Sequence, residues 1–138
     1  MRSLGLDLGT VTLGVAISRT GIISSGYEEF RYHDSNWQEA VDEVVRIVKL
    51  EKIEAIALGL PLNMNGTDSE MTINARNFAS LITKALPDVK ISLIDERWST
   101  KQATRSMLEG DLSRNKRKKI VDKMAAQIIL DTFLERGF

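Results

Sequence analysis

The sequence predicts an α/β fold: a five-stranded mixed sheet, made of a three-strand antiparallel meander plus two parallel strands, flanked by helices. Residues 2–32 hold three short apolar and β-branched runs separated by turn residues, the pattern of a meander. From Ser35 onward, stretches with apolar residues at helical spacing alternate with short apolar runs, as in units that build parallel strands. The 138 residues fit one domain, residues 1–138.

Residues 2–8 (RSLGLDL) read as a short buried strand and Thr12–Ser18 (TLGVAIS) as a second, with Gly9-Thr10 as a tight reversal between them. Residues 22–32, with β-formers around Gly26, make the third. Ser35 with Gln38 resembles a capping box, after which Ala40, Val41, Val44, Val45, Ile47, Val48 and Leu50 recur at helical spacing. Ile53–Leu60 is a buried strand stopped by Pro61, and residues 63–68 (NMNGTD) are turn chemistry. A helix covers 69–86, ended by Pro87-Asp88, and Val89–Ile94 is the last strand. Ser99 with Gln102 opens a helix to about Glu109; residues 110–117 form a basic loop; residues 119–136 form the final helix, with Gly137 past its end. The first, fourth and fifth strands are expected parallel, joined by right-handed crossovers, and ligands in such sheets sit beyond the carboxyl ends of the strands.

Composition narrows the function classes. There is no cysteine, hence no disulfide framework and no thiolate metal site, which suits a reducing cytoplasm. No secretory leader opens the chain and no apolar run approaches the ~18 residues that span a bilayer, so a cytoplasmic setting away from membranes is expected. Net charge is zero but uneven: residues 1–96 hold 9 basic and 14 acidic side chains, residues 97–138 hold 10 and 5. The dense basic run Arg114, Lys116, Arg117, Lys118 and Lys119 reads equally as a solvated loop and as a phosphate-binding face. As a binding face it would act through phosphates, giving salt-sensitive binding with little sequence readout.

Three acids stand out. Asp7 sits mid-strand in Gly5-Leu6-Asp7-Leu8-Gly9-Thr10, where a carboxylate is costly unless paired or bound to a cation, and the glycines leave the backbone open to close approach. Asp95-Glu96 follow the last strand, and alternation sends them to opposite faces, so one of the two is expected to join Asp7. Both also read as helix N-terminal acids, and the two readings balance. Asp122, beside an apolar face running through Val121, Ala125, Ile128, Ile129 and Phe133, taken alone reads as an ordinary helix N-terminal acid. Together, carboxylates from a strand, a strand end and a helix start can converge on one point. Such hard oxygen ligands suit Mg2+ or Mn2+. His33, the sole histidine, falls in a turn, which speaks against a histidine metal site or a Ser-His-Asp triad.

Four motifs occur in order: Gly5–Thr10; Gly59-Leu60-Pro61-Leu62-Asn63-Met64-Asn65-Gly66-Thr67; Asp95-Glu96-Arg97 with Ser99-Thr100; and Lys118–Ala126. In these the chain resembles the YqgF (RuvX) family of pre-16S rRNA nucleases, once called Holliday junction resolvase-like proteins, over essentially its whole length. The resemblance implies a ribonuclease H-like fold and Asp7, Glu96 and Asp122 as the acidic triad, choosing Glu96 over Asp95. It implies a role at the 5′ end of 16S rRNA in ribosome biogenesis, with Arg97, Ser99 and Thr100 as supporting or phosphate-contacting groups and Asn63, Asn65 and Thr67 lining the site. Turn chemistry alone accounts for the last three equally well. Trp98 replaces the family's usual Leu or Met and reads as a core residue ahead of a base-stacking one. Where the related resolvases carry a further acid, one turn after the position of Asp122, this chain has Ala125.

Two other readings stay open: a Holliday junction resolvase-like DNA endonuclease acting on branched DNA, and a non-catalytic RNA-binding or transcription-associated module. Asp7-Leu8-Gly9-Thr10 also resembles the first phosphate motif of the actin and Hsp70 ATPases, but those need two such domains and this chain has room for one. Structured RNA is the expected partner. The sequence leaves monomer and homodimer open.

Overall fold

The computed structural model describes residues 1–97 and 114–136, with side chains of the last helix described from residue 124 onward. Strands β1 (Ser3–Leu8), β2 (Thr12–Ser18) and β3 (Ser25–Arg31) form the meander, followed by α1 (Trp37–Glu51), β4 (Ala55–Leu60), α2 (Glu70–Ala85), β5 (Lys90–Asp95) and α3 (Arg114–Arg136). The sheet order is β3-β2-β1-β4-β5. The β1–β4 and β4–β5 pairs are parallel and the meander antiparallel, as the pattern predicts.

Period-two alternation divides the sheet between two cores. Leu4, Leu6 and Leu8 of β1 and Ile56, Leu58 and Leu60 of β4 meet α1 and α2 on one face. The other face is paved with Gly5, Ala16, Ala55, Ala57 and Gly59, and receives Ala126, Ile129, Leu130 and Phe133 of α3. Small residues there let the helix axis come close. A Cβ at Gly5 would lie 2.6 Å from Leu130 Cβ and would run into the Ala126 carbonyl oxygen.

Several boundaries differ from expectation. Ile22 and Ile23 are not in β3 and are 81% and 73% exposed. The amides of both donate to the Thr20 hydroxyl at 3.1 Å, a local turn that outcompetes the ladder. Asn36, not Ser35, caps α1, its side chain accepting from the Glu39 amide; Ser35 sits in left-handed backbone (φ 57°), where its hydroxyl donates to Asp34 instead. The expected 110–117 loop is helical from Arg114, so the basic run belongs to α3, as suits the high helix propensity of Lys and Arg. The buried stripe of α3 is Ala126, Ile129, Leu130 and Phe133; Ala125 and Ile128 are half-buried. The face is rotated from the expected one because the smallest residue must meet the glycine pavement. The helix expected over 99–109 lies outside the described residues.

Candidate active site

β1 carries Asp7 to the α3 face. Asp7 pairs with Gly14 of β2, and a Cβ at Gly14 would lie 3.6 Å from both Asp7 Cβ and Ala126 Cβ. The turn that follows is pinned: Gly9 N–H donates to the Thr12 carbonyl at 2.8 Å, and the Tyr32 hydroxyl donates to the Gly9 carbonyl. The Tyr32 hydroxyl is pushed up to about 12, first by its burial and then by the Asp34 charge. Nothing in the spacing of Tyr32 announced this contact.

β5 decides between the two consecutive acids. Ile94 is buried against α3, so Glu96 shares its face and Asp95 takes the opposite one. Glu96 reaches inward over β4: its Oε1 and Cδ lie 2.7 and 2.8 Å from where a Cβ of Gly59 would stand. Glycine at 59 is thus the gap that lets this carboxyl approach Asp7, a requirement visible in the sequence only as a glycine. Burial pushes the Glu96 carboxyl up to about 8, helped by the Asp7 charge, a hydrogen bond with Asp7 and, less, Asp95. Two carboxylates held together in a half-dry site resist joint ionisation.

Asp122 lies in α3 four residues before Ala126. Leu130 meets Gly5, while Ala126 also reaches Gly14 at the level of Asp7, so the helix backbone advances toward the carboxyl end of β1 as it is followed toward its N-terminus. One further turn, at about 1.5 Å per residue, brings position 122 to the Asp7 end of the sheet. Among the described residues no group of three candidate metal ligands occurs; the described acids at the site are the Asp7–Glu96 pair.

The remaining site residues separate. Arg97 grips Asp95: Nη2 donates to Oδ2 at 2.7 Å, Nε to Oδ2 at 3.0 Å, and the Arg97 amide to Oδ1 at 3.0 Å. This first holds Asp95 below the usual carboxylate range. Asn63, Asn65 and Thr67 close a turn on themselves, with Asn63 Nδ2 donating to Thr67 Oγ1 at 3.1 Å and Thr67 Oγ1 to Asn65 Oδ1 at 2.6 Å. Their hydrogen bonding is the turn chemistry that the pattern allowed. Trp98, Ser99 and Thr100 lie outside the described residues. His33 is exposed and pairs with Glu39 at 2.6 Å, away from the acids. A second carboxyl pair, not singled out in the sequence, joins β3 to α1: burial, then Glu43, pushes Glu28 up to about 7, while Arg46 holds Glu43 at 2.7 and 2.9 Å.

A family model described as "RuvX: Holliday junction resolvase" matches residues 1–136. A relative from Staphylococcus haemolyticus, described as "Putative pre-16S rRNA nuclease", is 40% identical over 133 residues, 96% of this chain and 94% of its own. One from Clostridium botulinum with the same description is 44% identical over 137 residues, 99% and 98% of the two chains. Among solved structures, "T. thermophilus RuvC in complex with Holliday junction substrate" superposes with a TM-score of 0.61 over 96% of this chain and 91% of that one, at 15% identity. That likeness is one of fold, and the fold is ribonuclease H-like. With a family model matching nearly end to end and relatives this similar over their full length, the chain belongs to the RuvX family.

Proposed function

We propose that this chain, as one domain, is a metal-dependent nuclease that processes the 5′ end of pre-16S rRNA in the cytoplasm, with Asp7, Glu96 and Asp122 as its acidic triad. The observation that carries the reading is the convergence of Asp7 and Glu96 over Gly59, at the carboxyl ends of the parallel strands, under the helix that bears Asp122. The donor set fits a hard cation: carboxylate oxygens, close together, with no cysteine in the chain and the histidine elsewhere. Mg2+ or Mn2+ held there supplies charge stabilisation and a more acidic water for phosphodiester hydrolysis. The protein's own part is to hold the carboxylates fixed before substrate arrives, on a rigid sheet and helix, so that little reorganisation accompanies reaction. Among the described residues no helix is long and apolar enough to cross a membrane.

The substrate assignment rests on the relatives' description, and the family model's description favours branched DNA as the second reading. The test is cleavage of labelled precursor rRNA and a four-way DNA junction, side by side, with Mg2+, with Mn2+ and with chelator. Metal-dependent cutting of the RNA is expected. Cutting of the junction alone would move the assignment to a resolvase, despite Ala125, and binding without cutting of either would make the chain a non-catalytic module.

Arg114, Lys116, Arg117, Lys118 and Lys119 occupy the first turns of α3, ahead of Asp122. From 114 to 122 the helix rises about 12 Å, enough to follow several phosphates of one strand. Position 119 precedes Ala126 by about two turns and position 117 by about two and a half, which puts 119 on the sheet side and 117 on the outer side. Lys119→Ala is therefore expected to lower the slope of log affinity against log salt by about 1, and Arg117→Ala by less. Binding titrations at several salt concentrations check this; equal effects would break the phase assignment. Ser99 and Thr100 complete the proposed phosphate contacts.

A further inference from the structure

The Asp95–Arg97 pair belongs to neither the acidic centre nor the basic helix, yet it brackets Glu96 on both sides. Asp95 ends β5, and Glu96 and Arg97 already have helical backbone, so Glu96 stands at a strand-to-helix joint. Such a joint has no ladder hydrogen bonds of its own to fix it. Asp95 supplies one by accepting the Arg97 amide at 3.0 Å, as an N-cap does, while the guanidinium of Arg97 grips the same carboxylate. The outer edge of that guanidinium is seated in turn. Its Nη1 donates to the Met64 carbonyl at 3.3 Å, and a Cβ at Gly66 would lie 3.3 Å from Nη1. Gly66 has φ +86°, left-handed backbone that favours glycine, and the loop is closed by Asn63 N–H to the Thr67 carbonyl at 2.9 Å and Gly66 N–H to the Asn63 carbonyl at 2.8 Å. Alternation puts Asp95, and the guanidinium bound to it, on the sheet face away from Asp7.

We propose that Asp95 and Arg97, seated on the 63–67 loop, form a latch that positions Glu96 for metal binding, and that Arg97 is a positioning residue and not a phosphate contact. Glu96 is pressed toward another carboxylate, and a carboxyl in that situation swings away unless its backbone is fixed on both sides. The latch supplies that fixation from the far face, and neutralises Asp95 so that its charge adds little to the site. The polar loop thereby gains a purpose: it is the seat of the latch. This inference rests on the metal-nuclease reading.

The test is Mn2+ titration of the full chain by calorimetry, with Arg97→Lys, Asp95→Asn and the double variant beside wild type, and thermal melts to score folding. Arg97→Lys keeps the charge but loses the two-pronged grip. It is expected to weaken Mn2+ binding by about 10–100-fold, the usual effect of removing a group that orients a ligand. Asp95→Asn should lose as much, and the double variant no more than either alone. Binding of a labelled RNA hairpin in chelator, and its salt slope, should stay at the wild-type value for all three. Unchanged Mn2+ affinity in the folded variants overturns the latch. So does full function in Arg97→Lys combined with a salt slope lowered by about 1 in Arg97→Gln, the signature of a phosphate contact. If Arg97→Lys does not fold, Asp95→Asn, which keeps its shape and a capping oxygen, decides alone. Wild type that binds no Mn2+ fails the metal reading itself, an outcome distinct from failure of the latch.

Discussion

Asp7→Asn is expected to cut phosphodiester cleavage by about 10³-fold or more while making the metal-free protein more stable at alkaline pH. The activity loss follows from removing a carboxylate from a site whose bound ion contributes several kcal/mol to the transition state, each ~1.4 kcal/mol being tenfold in rate. The stability gain follows from Glu96. Its carboxyl is raised from an ordinary 4.5 to about 8 by burial and by Asp7, so the folded chain holds that proton more tightly than the unfolded one. Stability from this group is present in full below about 4.5 and is lost as pH rises through about 8. Asparagine removes the opposing charge, lowers the Glu96 value and flattens the loss. Melts in chelator should therefore nearly coincide at pH 5 and separate at pH 8.5, with the variant higher by several degrees. Mg2+ should raise the wild-type melting temperature and leave the variant's almost unmoved, since only a ligand that binds the folded state stabilises it. Undiminished cleavage in Asp7→Asn would place the metal elsewhere, and a variant melting below wild type at pH 8.5 would show that the pair is not repulsive.

Gly5→Ala should be among the most damaging single-methyl changes available to this chain. The added Cβ would stand 2.6 Å from Leu130 Cβ, 3.2 Å from Leu130 N and closer still to the Ala126 carbonyl oxygen. None of these can rotate aside; α3 must lift as a body. The cost is about 3 kcal/mol, near the top of the usual range for overpacking, and corresponds to a fall of about 10 °C in melting temperature. Activity should fall further than stability alone explains, because lifting α3 carries Asp122 away from Asp7. Gly26→Ala is the control: nothing lies within 4 Å of a Cβ there, and its melting temperature should match wild type. Melts and cleavage rates of the two variants, taken together, check both statements. A wild-type melting temperature in Gly5→Ala would mean that α3 does not seat on β1 as described.

Much of this was legible in the sequence because interior strands alternate cleanly. Leu4, Leu6 and Leu8 fall on one face and Gly5 and Asp7 on the other, so Asp7 was marked as an acid beneath a closely approaching helix. The choice between Asp95 and Glu96 was not legible from periodicity. β5 is an edge strand with apolar residues on both faces: Ile91 and Leu93 oppose Ile94, and Leu93 is left exposed. Two-sided hydrophobicity erases phase, and only the resemblance chose Glu96; the burial of Ile94 now gives a physical ground for the same choice. The misplaced cap and the overlong third strand have one origin. Ser35, Asn36 and Thr20 all offer side-chain hydrogen bonds to nearby amides, and spacing does not say which backbone each will serve. The polar loop shows a further limit. Its residues are the turn formers they look to be, and their link to Arg97 is a contact between segments that no local pattern encodes.

The seating of α3 on Gly5 also bears on when in its life the molecule can act. Asp7 is among the first residues to be synthesised and the helix that carries Asp122 among the last, so the acidic centre is closed by a contact of very large sequence separation. Loops of that length close late, after the sheet and the α1–α2 face have condensed. A chain caught before that closure owns two acids of three. A nascent or partly unfolded molecule would then be a harmless one, and cutting power would arrive in a single step with the completed fold.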